Sequence, residues 1–239
     1  MDANGPTDGV SIILVVYAYF NFLHDQVCPA DGCKSGIELK GSGTMDDISQ
    51  TAAQIQKSAW SVIEETDVIN HWRSIGATIN LVGSLKTGLM INRRDIDFHI
   101  YTTPFNLSDS FSAVSRLAEN RRIKTISYSN LLEAEDKCIE WHAFYEDRDG
   151  NSWQIDMIHI LNESPYAGYF ENVADRISKV LTEETREAIL RIKNEIPAEK
   201  SVMSIQVYKA VIEEGVRNLE AFREWKDRNP DEGIVAWVP

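Results

Sequence analysis

"LVGSLKTGLMINRRDIDFHIYT", residues Leu81 to Thr102, decides how this 239-residue chain is read. An apolar strand breaks on Gly83-Ser84, and a second apolar strand begins at Asp95. Side chains alternate faces along a strand, so Asp95 and Asp97 project from one face about 7 Å apart. Ile96 and Phe98 then point the other way, into apolar packing. Two carboxylates this close, flanked by core residues, repel each other and lose hydration, so a cation must offset the cost. Arg93 and Arg94 are near in sequence, but Arg94 alternates onto the face opposite Asp95. A divalent metal is the stronger account. Oxygen ligands select hard ions, so Mg²⁺ or Mn²⁺ is expected.

A pair of such ions clamps the entering and leaving oxygens of a phosphoryl displacement, and it calls for a further carboxylate. "WQIDMIHI" offers one, because Asp156 stands between Ile155 and Met157 in a strongly apolar strand. If that strand lies beside the one carrying Asp97, the three acids converge. Gly83-Ser84 supplies the complementary half: free backbone N–H groups and a hydroxyl that suit phosphate oxygens. Glycine lets the backbone approach closely because it has no Cβ.

Taken together, "LVGSLKTG", "RRDIDFHI" and "WQIDMIHI" resemble the nucleotidyltransferase superfamily of the DNA polymerase beta type. Its signature is Gly-Ser or Gly-Gly after a hydrophobic residue, then Asp-x-Asp/Glu in a strand, then a third Asp on a neighbouring strand. Ten residues separate Ser84 from Asp95, within the family's range, and the likeness spans roughly residues 78–160. Many members carry Ala-Arg-Gly after the turn, where this chain has Lys86-Thr87-Gly88.

The resemblance implies an α+β fold: a small mixed sheet with helices, followed by a helical C-terminal subregion. It implies that Gly83 and Ser84, with Lys86 as a basic aid, hold nucleotide phosphates such as those of ATP. Asp95 and Asp97 would ligate two Mg²⁺ or Mn²⁺ ions. Asp156 would complete one metal site and help activate the acceptor hydroxyl. The implied reaction moves a nucleoside monophosphate from an NTP to a hydroxyl of a small molecule or a protein and releases pyrophosphate. The alternative is a non-catalytic nucleotide- or metal-binding regulatory protein on the same scaffold.

Composition narrows the partners. The net charge is −13, and Arg93-Arg94 and Arg121-Arg122 are the only basic doublets, so no duplex nucleic acid is expected as a partner. Cys28, Cys33 and Cys138 cannot all pair within one chain, which suits a reducing, cytoplasmic setting. The apolar run at residues 11–23 is shorter than the roughly 20 residues a membrane span needs, and no basic residue precedes it. No membrane partner is expected.

The chain divides into residues 1–44, an appendage of unassigned role; residues 45–163, the nucleotidyltransferase-like part; and residues 164–239, a helical subdomain. Ile48, Ala52, Ile55, Ala59, Ile63 and Val68 predict one long amphipathic helix, closed by Gly76. A helix capped by Ser108 buries Phe111, Val114 and Leu117. "CIEWHAFYEDRDGNSWQIDMIHI" predicts a hairpin about Asp147–Asn151, an acidic turn too short for a calcium loop. Thr182, Ser204 and Asn218 are expected to cap the later helices, with Arg191 and Lys193 in a last turn that complements the helix dipole. His99 could border the acids, His159 reads as structural, and His142 and Trp141 could serve either purpose.

Overall fold

The computed structural model describes residues 44–197, 202–230 and 237–239. The appendage, the apolar run at 11–23 and the Cys28 and Cys33 pair therefore lie outside the described residues, apart from Thr44. Thr44 opens helix α1 (Met45–Thr66) with a capping box: its hydroxyl accepts from the Asp47 N–H, and Asp47 bonds back to the Thr44 N–H. The expected single helix is in fact two. Asp67 takes a left-handed conformation (φ 53°) and divides α1 from α2 (Val68–Arg73). The stripe from Ile48 to Val68 is nevertheless buried throughout.

Five strands follow: β1 (Thr78–Val82), β2 (Asp95–Tyr101), β3 (Ile123–Leu131), β4 (Cys138–Glu146) and β5 (Ser152–Ile160). They form one sheet in the order β1-β2-β5-β4-β3. Only the β2–β5 pair is parallel; the other three pairs are antiparallel. Short helix α3 (Gly83–Lys86) follows β1, and α4 (Leu107–Ala118) joins β2 to β3. Helices α5 (Tyr169–Val180), α6 (Glu183–Glu195), α7 (Ser204–Ile212) and α8 (Leu219–Arg228) are the later helices of the described residues. The expected α+β class with a helical C-terminal subregion is the one adopted.

Alternation along the strands gives the sheet two unlike faces. Ile96, Phe98, Ile100, Ile139, Trp141, Ile155 and Met157 join residues of α1, α2 and α4 in the main core. Each large apolar side chain removed from water there contributes about 1.5–3 kcal/mol. The C-terminal helices form a second core, which Leu89 enters from the loop before β2. A third, small cluster of Ile48, Ala52, Ile91 and Leu190 ties α1 to α6.

The β4–β5 hairpin forms as read. Asp147 fastens its turn by accepting hydrogen bonds from the Asn151 N–H (2.8 Å) and Trp153 Nε1 (2.9 Å). Three local expectations need correction. Asn106, two residues earlier than Ser108, caps α4, because its side chain reaches the free Ser108 N–H at 2.9 Å. Phe111 is not buried with Val114 and Leu117; it is 47% exposed, its ring edge-on to Trp141. Ser204 is the first residue of α7 rather than its cap, since Met203 holds the cap position without a side-chain bond. Thr182 and Asn218 cap α6 and α8 as expected.

Candidate active site

The polar face of the sheet carries the predicted acids. Val82, Asp97, Asp156 and His142 stand in one cross-strand row on β1, β2, β5 and β4. Asp97 and Asp156 are therefore direct neighbours across the parallel pair. Asp95 lies one strand-step from Asp97 on the same face, opposite Gln154. Arg94 faces away, its guanidinium 5.8 Å from the Trp153 ring centroid, so it does not supply the cation that the acids need.

Gly83 is built around Asp97. Its φ is +67°, and a Cβ there would overlap Asp97 Oδ2 and lie 2.8 Å from its Cγ. No other residue lets the β1–α3 turn pass so close to the carboxylate. Ser84 Oγ is the meeting point of a second set of groups. Lys193 Nζ donates to it at 3.0 Å, Tyr208 OH is 2.9 Å away, and Ser204 Oγ is 3.5 Å away. Lys193 Nζ also donates to the Leu89 carbonyl at 2.8 Å, and its residue is only 5% exposed. A shallow cleft opens beside this lysine, lined in part by Asn92, Arg93 and Ser204. Lys86 is turned elsewhere: its Nζ pairs with Asp175 on α5 at 3.4 Å, both side chains being largely exposed.

The electrostatics follow from this packing. Burial pushes the Asp97 carboxyl well above the usual carboxylate range, and the Asp156 and Asp95 charges push it further; Lys193 and His142 only partly oppose them. Burial alone would lower His142, but its hydrogen bond to Asp156 and the charges of Asp156 and Glu140 carry its pKa up to about 10. Among the described residues, no three His, Cys, Asp or Glu side chains are gathered closely enough to form a ready-made metal site. The donor set still fits a hard divalent ion. Asp97 and Asp156 are adjacent oxygen donors, and the burden on Asp97 is one that a cation between them would relieve.

His99 and His159 have partners away from the acids. His99 Nδ1 lies 3.3 Å from Glu171 on α5, and Tyr101 OH donates to the same carboxylate at 2.8 Å. His159 is on the core face against Trp72 and Phe105, and burial lowers its pKa to about 4. Trp141 also belongs to the core, donating to Ser110 Oγ.

Lys193, Tyr208 and Ser204 were not legible in the sequence as neighbours of this site, and His142, which could serve either purpose, bonds to Asp156. Lys193 and His142 each carried a partial signal. Lys193 falls four residues after the buried Ile189, on the apolar face of α6, where a lysine needs a reason. His142 faces Asp156 as soon as the hairpin is centred on Asp149, since Glu146 then pairs with Ser152.

No protein-family model matches the chain, and no curated protein sequence matches it. Among solved structures it is similar to the Cid1 poly(U) polymerase with MgGTP bound, at 13% identity and a TM-score of 0.49, over 70% of this chain and 54% of that one. It is also similar to a cytoplasmic RNA terminal U-transferase, at 12% identity and a TM-score of 0.45, over 69% of this chain and 50% of that one. A third is the non-canonical poly(A) polymerase complex GLD-2–GLD-3, at 14% identity and a TM-score of 0.41, over 83% of this chain and 57% of that one. The chain spans about half the length of these structures. The likeness is one of fold alone.

Proposed function

We propose that this chain is a metal-dependent nucleotidyltransferase that moves a nucleoside monophosphate from an NTP to a hydroxyl of a small molecule or a protein. The observation that carries the proposal is the pairing of Asp97 with Asp156 directly beneath the Gly83 turn. In this reading Asp95, Asp97 and Asp156 hold Mg²⁺ or Mn²⁺, two ions when the site is full. Gly83 and Ser84 offer backbone and hydroxyl donors to the phosphates, and Lys193 and Tyr208 provide the basic and phenolic groups beside them. Lys193 takes the part that the sequence suggested for Lys86.

The reaction forms a bond from the acceptor oxygen to the α-phosphorus and breaks the bond from that phosphorus to the β-bridging oxygen. The acceptor proton passes to Asp156, and pyrophosphate leaves. The divalent cation, when bound, neutralises phosphate charge and acidifies the acceptor hydroxyl. The chain's own residues contribute position and a water-poor, pre-oriented setting. In this reading the acids belong to the part at residues 45–163, and Lys193 and Tyr208, which reach Ser84, to the part at residues 164–239.

A net charge of −13 favours a small or protein acceptor over a polyanion. Among the described residues no helix is long and apolar enough to cross a membrane, and Cys138 is a buried free thiol. A cytoplasmic setting belongs to the same proposal. The test is incubation with each NTP, Mg²⁺ and a panel of hydroxyl compounds and proteins, followed by pyrophosphate. Release by the wild type and none by Asp97→Asn supports transfer. Cation-dependent nucleotide binding without turnover across the panel favours the regulatory alternative.

A further inference from the structure

We propose that His142 is a positioning residue that fixes the rotamer of Asp156 so that one carboxylate oxygen is kept for a divalent cation. The inference rests on the reading of Asp156 as a metal ligand and extends it to a residue on a third strand. Two donors converge on the same atom of Asp156: His142 Nδ1 at 2.6 Å and Gln154 Nε2 at 2.8 Å, both on Oδ1. Oδ2 accepts from neither. A carboxylate held by both bonds on one oxygen cannot spin about its terminal torsion without breaking them, so Oδ2 keeps one direction. In the cross-strand row, Asp97 is the neighbour of Asp156 on the side opposite His142.

On its far side His142 faces Glu140. Its Nε2 lies 3.6 Å from Oε2 of Glu140, two residues away on the same face of β4. Glu140 and His142 are 5% and 6% exposed. Glu140 and His142 thus stand in line behind Asp156, the acid that would meet the cation. Groups of this kind, bonded to a ligand rather than to the metal, orient the ligand; their loss costs about ten- to a hundredfold in metal affinity.

The test compares two substitutions of similar polarity that place their amide differently. His142→Asn puts an amide nitrogen near the position of Nδ1 and keeps the bond to Asp156. His142→Gln reaches the position of Nε2, toward Glu140, and loses it. Mn²⁺ affinity is measured by electron paramagnetic resonance with a non-hydrolysable NTP present, alongside melting temperature and, where transfer is seen, kcat and KM. The expected result is that H142Q binds Mn²⁺ ten- to a hundredfold more weakly while H142N stays within about threefold of wild type. The loss should fall on kcat, with the NTP KM changing little.

If H142Q does not fold, Gln154→Leu removes the other donor at a half-buried position and is expected to weaken Mn²⁺ in the same direction. Folded H142Q, or folded Q154L in its place, with wild-type Mn²⁺ affinity overturns the positioning role alone. Wild-type protein that binds Mn²⁺ no better than Asp97→Asn overturns the parent reading of the acids as well.

Discussion

At Gly83 the absence of one carbon atom determines whether Asp97 can occupy its place. An added Cβ would overlap Asp97 Oδ2, and the positive φ would strain any other residue. Gly83→Ala is therefore expected to shift that carboxylate and to lower transfer by about a hundredfold. Steady-state kinetics with a melting curve checks this, because the fold should survive. Asp136 presents the converse situation. It is buried, neither carboxylate oxygen has a hydrogen-bond partner among the described residues, and burial together with Glu140 and Glu135 raises its pKa to about 6. A pKa raised in the folded state means that the folded chain holds the proton more tightly. The stability from this group is present below about pH 4 and is lost as pH rises through 6. Asp136→Asn should then raise the melting temperature at pH 7.5 and give little or no gain near pH 4.

At the scale of elements, helix α4 offers a clean contrast between two candidate caps. Asn106 bonds the Ser108 N–H, whereas Ser108 Oγ is not the capping atom. Asn106→Ala should cost about 1 kcal/mol in urea denaturation, and Ser108→Ala only a few tenths. The misreading has a simple cause: Asn106 and Ser108 are both good caps two residues apart, and only backbone geometry chooses between them. The strands were far more legible. Asp97 sits between Ile96 and Phe98, Asp156 between Ile155 and Met157, and strict alternation fixes the face on which these acids and Asp95 project. Helices obscure such information. Lys193, near the end of α6, looks like a charge that complements the helix dipole until the fold shows it buried against Ser84 and Leu89.

For the whole molecule, the sheet was readable from local pattern, while the meeting of its polar face with the C-terminal helices was not. No sequence period reveals that α6 and α7 bring Lys193 and Tyr208 to a turn more than a hundred residues earlier. In the proposed function a nucleotide would bridge the sheet and the C-terminal helices at this meeting. Lys193→Met, which keeps the stem and removes the charge, should raise the NTP KM at least tenfold, as the loss of a buried cation facing phosphate implies. Nucleotide at a hundred times its Kd should stabilise the wild type by about 2.7 kcal/mol and the variant by clearly less. Thermal shift with and without an NTP analogue measures both.

The account depends on Asp97 and Asp156 sharing a cation beside a phosphate seat at Ser84 and Lys193. Crystals grown with Mn²⁺ and a non-hydrolysable NTP test this most directly, through the anomalous scattering of manganese. The expected result is a manganese peak within coordination distance of both carboxylates, with the phosphates reaching Ser84 and Lys193. A peak bound to neither acid, or a nucleotide seated away from the Gly83 turn, would contradict it.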